Sequence, residues 1–300
     1  MNIIGKKYWY FLFSLIIIIP GLISLILFGL NPSIEFTGGS RITFAFPKEL
    51  SVSKISTVKS VFEQNKIKVA TIEKSGSEVF VRSGPVDQKQ DILITSQMKN
   101  KLGDFKQAQY ETVGPTIGSE TTLNAIKALI IASILIVFYI TWSFRSVPKP
   151  TNSFRFGVCA IIALIHDVLV LLGFFSIFGH FFGVEADSLF VTAVLTVIGF
   201  SVHDTIVVFD RIRENLRRIG GDDFTEVVNN SILQTLDRSL NTSLTVVLVL
   251  VALLLFGGET IRWFVVALLI GIVSGTYSSI FNASPLLVVW QEIIQKRTKR

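Results

Sequence analysis

The chain has 300 residues, 50% hydrophobic and only 17% charged, and its 25 Phe outnumber its 5 Tyr and 4 Trp together. Soluble domains carry roughly 25% charged residues, so this composition excludes an ordinary soluble domain and indicates an integral membrane protein. The single Cys159 excludes a disulfide framework and every multi-cysteine metal site, and His166, His180 and His203 show no metal-ligand spacing. No cofactor or metal is expected, and the net charge of +6 reads as a topology signal rather than a nucleic-acid patch.

Apolar runs at 8–29, 124–145, 156–179, 188–209, 240–257 and 263–287 each approach the roughly 20 residues that a ~30 Å hydrocarbon core requires. Six spanning helices are expected. The first follows Lys6 and Lys7 but is too long for a signal peptide and lacks a small-x-small cleavage site, so it reads as an uncleaved anchor.

If six spans alternate, Lys6, Lys7, Arg145, Lys149, Arg155, Arg211, Arg213, Arg217, Arg218, Arg238, Lys296, Arg297, Lys299 and Arg300 share one side, fourteen against Arg262 alone in the short loops opposite. The positive-inside rule then predicts cytoplasmic termini and an extracytoplasmic segment between the first two spans. The expected organisation is 1–30 as N-terminus and first span, 31–122 as outer domain, 123–290 as the remaining bundle and 291–300 as a basic cytoplasmic tail. The basic surplus also suits contact with anionic membrane lipids.

The outer segment alternates between strand and helix patterns. Ser40–Phe46 alternates in the strand manner, and 53–65 places Ile55, Val58, Val61 and Phe62 at helical spacing. Ile67–Ile72 and Glu78–Arg82 read as strands around Ser75-Gly76-Ser77, followed by a helix over 86–102 ending at Gly103 and a strand over 105–112. The order β-α-β-β-α-β predicts a ferredoxin-like α+β domain, suited to binding or docking. Its flanking motifs, Phe36-Thr37-Gly38-Gly39 and Val113-Gly114-Pro115, suit a defined junction or hinge, because Gly permits unusual backbone and Pro fixes φ.

On the inner side, 211–239 is the one sizeable loop. Asp223 and Glu226 fit a capping box, and Phe224, Val227, Val228, Ile232, Leu233 and Leu236 form an apolar stripe. A short amphipathic helix lying against the inner membrane surface or under the bundle is expected there.

Ionisable side chains inside spans cost about 2.5–3.5 kcal/mol on insertion scales, which makes His166-Asp167 and His203-Asp204 functional suspects. The alternative is structural: Asp204 reaches the interface or accepts a bond from a neighbouring Ser or Thr, and His166 satisfies one polar neighbour. Arg238 opens the fifth span, next to Asp237 and Ser239 and before the polar run Asn241-Thr242-Ser243, so this helix end is expected to face protein or water. In the sixth span Gly271, Gly275, Ser279 and Ala283 recur at four-residue spacing, a stripe that lets helices approach closely.

Enzyme readings fare poorly. Gly199-Phe200-Ser201-Val202-His203 lacks the second Gly of a nucleophile elbow and lies in an apolar helix. There is no Walker sequence, and Thr37-Gly38-Gly39-Ser40 precedes a strand rather than opening a helix.

Four long motifs carry a resemblance: Ile34-Glu35-Phe36-Thr37-Gly38-Gly39; Val113-Gly114-Pro115-Thr116-Ile117-Gly118-Ser119-Glu120; the stretch from Ile198-Gly199-Phe200-Ser201 through His203-Asp204-Thr205-Ile206-Val207-Val208-Phe209-Asp210-Arg211-Ile212-Arg213-Glu214-Asn215; and Gln234-Thr235-Leu236-Asp237-Arg238-Ser239-Leu240-Asn241-Thr242-Ser243. Together they resemble the SecF family of bacterial protein-export membrane subunits, in the SecD/SecF branch of the RND superfamily. The resemblance implies a six-helix half-transporter of the inner membrane that pairs with SecD and, with the SecYEG channel and the SecA motor, draws preproteins outward using the proton gradient. It also implies that Asp204 and Arg238 serve proton passage; His203, His166 and Asp167 are further candidates on their cost within the spans alone. Glu35 stands where the family usually has Asp, Thr121 where Leu is usual, and His203 where Asn is frequent. The fusion found in some relatives is absent, so the partner half is expected from a separate chain. The competing readings are a non-conducting membrane scaffold and half of an RND-type small-molecule or lipid exporter.

Overall fold

The computed structural model describes residues 2–219 and 223–298. In chain order its elements are α1 (Lys7–Phe28), α2 (Ile34–Thr37), β1 (Gly39–Ala45), α3 (Val52–Gln64), β2 (Val69–Ser75), β3 (Glu78–Ser83), α4 (Gln88–Leu102), β4 (Lys106–Val113), α5 (Pro115–Ser143), α6 (Ser153–Phe182), α7 (Ser188–Ile219), α8 (Phe224–Phe256), α9 (Glu259–Ser278) and α10 (Ser284–Thr298). Two compact units result: an α/β unit over Pro32–Lys127 and a helical unit built from the chain on either side of it.

In the α/β unit the strand order is β2-β3-β1-β4, every neighbour antiparallel, which is the expected ferredoxin-like topology. Alternation along the strands turns Ile42 and Phe44 of β1 and Val81 and Val79 of β3 to one face, as directly opposed pairs. Against that face pack Val58, Val61 and Phe62 of α3 and Ile94 and Met98 of α4, all fully buried. Asp87 caps α4 in a reciprocal box with Gln90, satisfying donors that a helix start leaves open. Burial raises the Asp91 carboxyl above its usual range, while a hydrogen bond from Gln107 opposes that shift.

Among the described residues six helices are long and apolar enough to cross a membrane: Ile4–Phe28, Pro115–Ser143, Ser153–Phe182, Ser188–Arg218, Phe224–Phe256 and Glu259–Arg297. The sixth is interrupted by a π turn over Ser279–Ala283 between α9 and α10. At 1.5 Å per residue α7 and α8 are each about 50 Å long, well beyond a ~30 Å hydrocarbon core.

That length corrects one expectation. The segment 211–239 forms no separate amphipathic helix among the described residues: its first part continues α7 to Ile219, and its second part, from Phe224, is the opening of α8. The apolar stripe is real, with Phe224, Val227, Val228 and Ile232 buried in the bundle core, but helical hydrogen bonding continues unbroken into the apolar run. Asp223 does cap α8 through the backbone of Glu226. Gly220, Gly221, Asp222, Lys299 and Arg300, which fall in the expected loop and basic tail, lie outside the described residues.

α1 meets α6 backbone to backbone. A Cβ on Gly21 would come within 2.8 Å of the Gly173 Cα, and Ser24 and Ser176 share a hydroxyl hydrogen bond of 2.9 Å one turn away. Small residues at this crossing provide close packing where lipid offers no hydrophobic drive between helices.

Candidate functional site

Among the described residues two carboxylates are buried in the helical unit. Asp167 of α6 is fully enclosed, and Asp204 of α7 is 3% exposed. Both are served by α9, whose hydroxyls fall on two sides. Ser274 and Ser278 are four residues apart and share a face, while Thr276 lies about 200° around the helix from Ser274.

Asp167 has a saturated carboxylate. Ser201 of α7 and Ser278 donate to Oδ2 at 2.5 and 2.6 Å, and Ser274 donates to Oδ1 at 2.8 Å. The Nδ1 of His166 lies 2.9 Å from Oδ1, and its Nε2 is buried without a partner. His166, Asp167 and Ser201 thus come together, but in the wrong order for a hydrolase: the serine bonds the carboxylate, whereas nucleophile activation requires the imidazole between them.

Asp204 is more loosely held. Thr276 of α9 and Ser243 of α8 approach Oδ2 at 3.3 and 3.5 Å, and these two hydroxyls bond each other at 2.5 Å. Next to it, Thr205 bonds Ser279 at 2.8 Å, and Ser279 also donates to the carbonyls of Gly275 and Ser201. The π turn begins at Ser279, and such turns are frequent at functional sites because they redirect side chains and loosen the helical ladder.

The structure does not bring every sequence-indicated residue together. Arg238 is exposed on α8, five residues before Ser243, and no ion pair joins it to Asp204. His203 is exposed on α7 beside the buried Asp204. Gly271 and Gly275 face α7, where added Cβ atoms would meet Val197 at 2.1 Å and Ser201 at 3.1 Å. Ser279 and Ala283 are buried in the π turn, so the stripe is occupied within this chain.

In the α/β unit, Gly38 and Gly39 have φ of +69° and +122°. A Cβ on Gly39 would lie 2.6 Å from the Ser83 carbonyl oxygen, and one on Gly38 would lie 3.0 Å from the Pro115 Cα. Gly118, at the start of α5, closes on the same turn: its Cβ would reach the Gly38 nitrogen at 2.7 Å. Gly114 meets nothing within 4 Å.

The residues that complete the two carboxylate sites, Ser274, Thr276 and Ser278, carry no motif. Their signal is hydroxyls at i and i+4 in an otherwise apolar helix, a pattern that needs its acceptor on another helix to be read.

Comparison with known proteins fits this arrangement. The family model "Protein export membrane protein SecD/SecF, C-terminal" matches residues 93–293, and that of the SecD/SecF GG motif matches residues 23–46. The protein translocase subunit SecF of Thermobaculum terrenum is 48% identical, covering 97% of this chain and 94% of that protein. SecF of Anaerolinea thermophila is 46% identical over the same shares. The translocase subunit SecDF of Bacillus subtilis is 35% identical, with 96% of this chain matching 38% of that one. The crystal structure of SecDF, a translocon-associated membrane protein from Thermus thermophilus, superposes with a TM-score of 0.81 at 32% identity over 97% of this chain, which spans 39% of that chain. These relationships, spread over nearly all of its length, show that the chain belongs to the SecD/SecF family of protein-export membrane proteins.

Proposed function

We propose that this chain is the SecF-type half of a protein translocase, that it pairs with a SecD-type half, and that it uses the proton gradient to promote outward movement of preproteins through the SecYEG channel, in concert with the SecA motor. Pairing is supported by relatives in which both halves form one chain, of which this chain matches 38–39%. The fourteen-to-one basic asymmetry supports cytoplasmic termini and an extracytoplasmic α/β unit in the bacterial inner membrane.

The observation that carries the proton reading is Asp204. It is buried among apolar helices and held only by two long hydroxyl contacts, with Arg238 exposed nearby on α8. Apolar surroundings favour a protonated carboxyl and an adjacent guanidinium favours the ionised form, so relative movement of α7 and α8 would switch the group between binding and release. A proton moving through the membrane potential supplies about 2.3 kcal/mol per 100 mV. We assign a relay between Asp204 and the exposed face to His203, which is exposed beside it. Asp167 has its acceptors filled, and we assign it and His166 to holding α6, α7 and α9 together. The turn at Gly38 and Gly39, closed against Pro115 and followed from Gly114, is proposed as the junction through which the α/β unit is driven.

Asp204→Asn keeps the shape and removes the titration. It should abolish the dependence of export on the proton gradient while leaving insertion, partner binding and ATP-driven export intact. Export by this variant that still falls when the gradient is collapsed would leave the scaffold reading standing.

A further inference from the structure

A cavity of about 420 Å³ opens between the end of α5 and the middle of the extended part of α7, lined by Tyr139, Trp142, Arg145, Ser146, Arg213 and Arg217. We propose that it binds the phosphodiester headgroup of an anionic phospholipid, with the acyl chains running along α5.

Three guanidinium groups converge here against one carboxylate. Arg213 pairs with Asp210 and donates to the Ser143 carbonyl at 2.9 Å, and Arg217 donates to the Ser146 carbonyl at 3.0 Å. Arg145 lies over the Trp142 ring at 5.7 Å. A guanidinium has five N–H donors in a planar fork, so these contacts leave donors free to clasp phosphate oxygens. Asp210 offsets one of the three charges, and the cavity remains cationic.

The occupant is a lipid rather than a soluble anion because the cavity adjoins apolar surface. Tyr139 and Trp142 are more than half exposed, and the helix beside them continues through Phe138, Leu135, Ile134 and Ile131, which are 55–67% exposed. Aromatic rings at the end of an apolar span mark headgroup depth, and basic pockets between spanning helices bind acidic headgroups. A charged cradle with an apolar track leading from it matches a molecule with an anionic head and hydrocarbon tails.

The test uses the full chain in a mild non-ionic detergent, with retained phosphatidylglycerol counted by native mass spectrometry. Arg145→Gln breaks no hydrogen bond and is the decisive variant, compared with wild type at matched unfolding midpoints. It should weaken phosphatidylglycerol binding on the order of tenfold, and Arg217→Gln by a similar factor. Arg262→Gln, outside the cavity, should bind as wild type. Unchanged binding by Arg145→Gln, equal retention of phosphatidylcholine, or displacement of the lipid by millimolar inorganic phosphate would each overturn the proposal, the last by assigning the cavity to a soluble anion.

Discussion

Asp167 on α6 and Ser278 on α9 are joined by a 2.6 Å hydrogen bond in a fully buried setting, and the same α9 segment reaches Asp204 through Thr276. One helix thus serves both acids. The two differ in how completely they are served, and the proposed division of their roles rests on that difference.

Replacing Asp167 by Ala should strand the hydroxyls of Ser201 and Ser274, which have it as their shared acceptor, and leave Ser278 with its longer bond to the Gly275 carbonyl. A buried group left unsatisfied costs about 1–3 kcal/mol, so the variant should lose roughly 2–4 kcal/mol in detergent unfolding. Asp167→Asn, which keeps an acceptor, should lose less and retain gradient-dependent export. Loss of that dependence in a well-folded Asp167→Asn protein would move Asp167 onto the proton route.

Close helix crossings set a second expectation. At Gly173 an added methyl would sit 2.7 Å from the Gly21 Cα, a backbone atom with no freedom to yield. Gly173→Ala should therefore separate α1 from α6 and cost about 1–3 kcal/mol by overpacking. Gly275→Leu should displace Ser201, against which Gly275 packs, and so disturb Asp167 as well. Unfolding midpoints equal to wild type would show that the crossings relax freely.

Much of this architecture is legible in the sequence for identifiable reasons. Period-2 alternation around Ile42 and Phe44 and helical spacing around Val58, Val61 and Phe62 place the α/β core, because each element there has one buried face. The six spans follow from length and apolarity. The ends of α7 and α8 are not legible, because polar residues at 211–219 and an apolar stripe from Phe224 look the same whether a helix stops or continues. Asp167 and Asp204 stand out by their cost in an apolar helix, but the Ser and Thr partners do not, since hydroxyls bond equally well to their own helix. The Gly21–Gly173 crossing leaves no sequence signal, because each glycine is isolated in its own helix and only three-dimensional pairing gives either a purpose.

At the turn before β1, strain and sterics act together. Gly39 combines φ of +122° with a Cβ position 2.6 Å from the Ser83 carbonyl oxygen, so Gly39→Ala should cost more than about 1 kcal/mol. Gly114→Ala, with open space around it, should change unfolding by no more than about 0.5 kcal/mol. Gly38→Val with Gly39→Val should depress export in a protein that still inserts. Full export from that double variant would remove the junction from the mechanism.

The last expectation concerns Asp204 and Arg238, which are unpaired here: the carboxylate faces Thr276 and Ser243, and the guanidinium side chain is exposed. If Arg238 acts by approaching Asp204 in a second conformation, the two residues are one functional unit and their losses do not add. Arg238→Gln alone should lower gradient-driven export, because nothing then favours proton release toward the cytoplasm. In an Asp204→Asn background the same change should have no further effect, since there is no proton left to release. The measurement is the export rate with the gradient present and collapsed, in wild type, both single variants and the double variant at equal protein level. A double variant worse than Asp204→Asn, by the factor Arg238→Gln shows alone, would mean that the arginine works independently, as an interfacial anchor or a partner contact, and the proposed switch would fail.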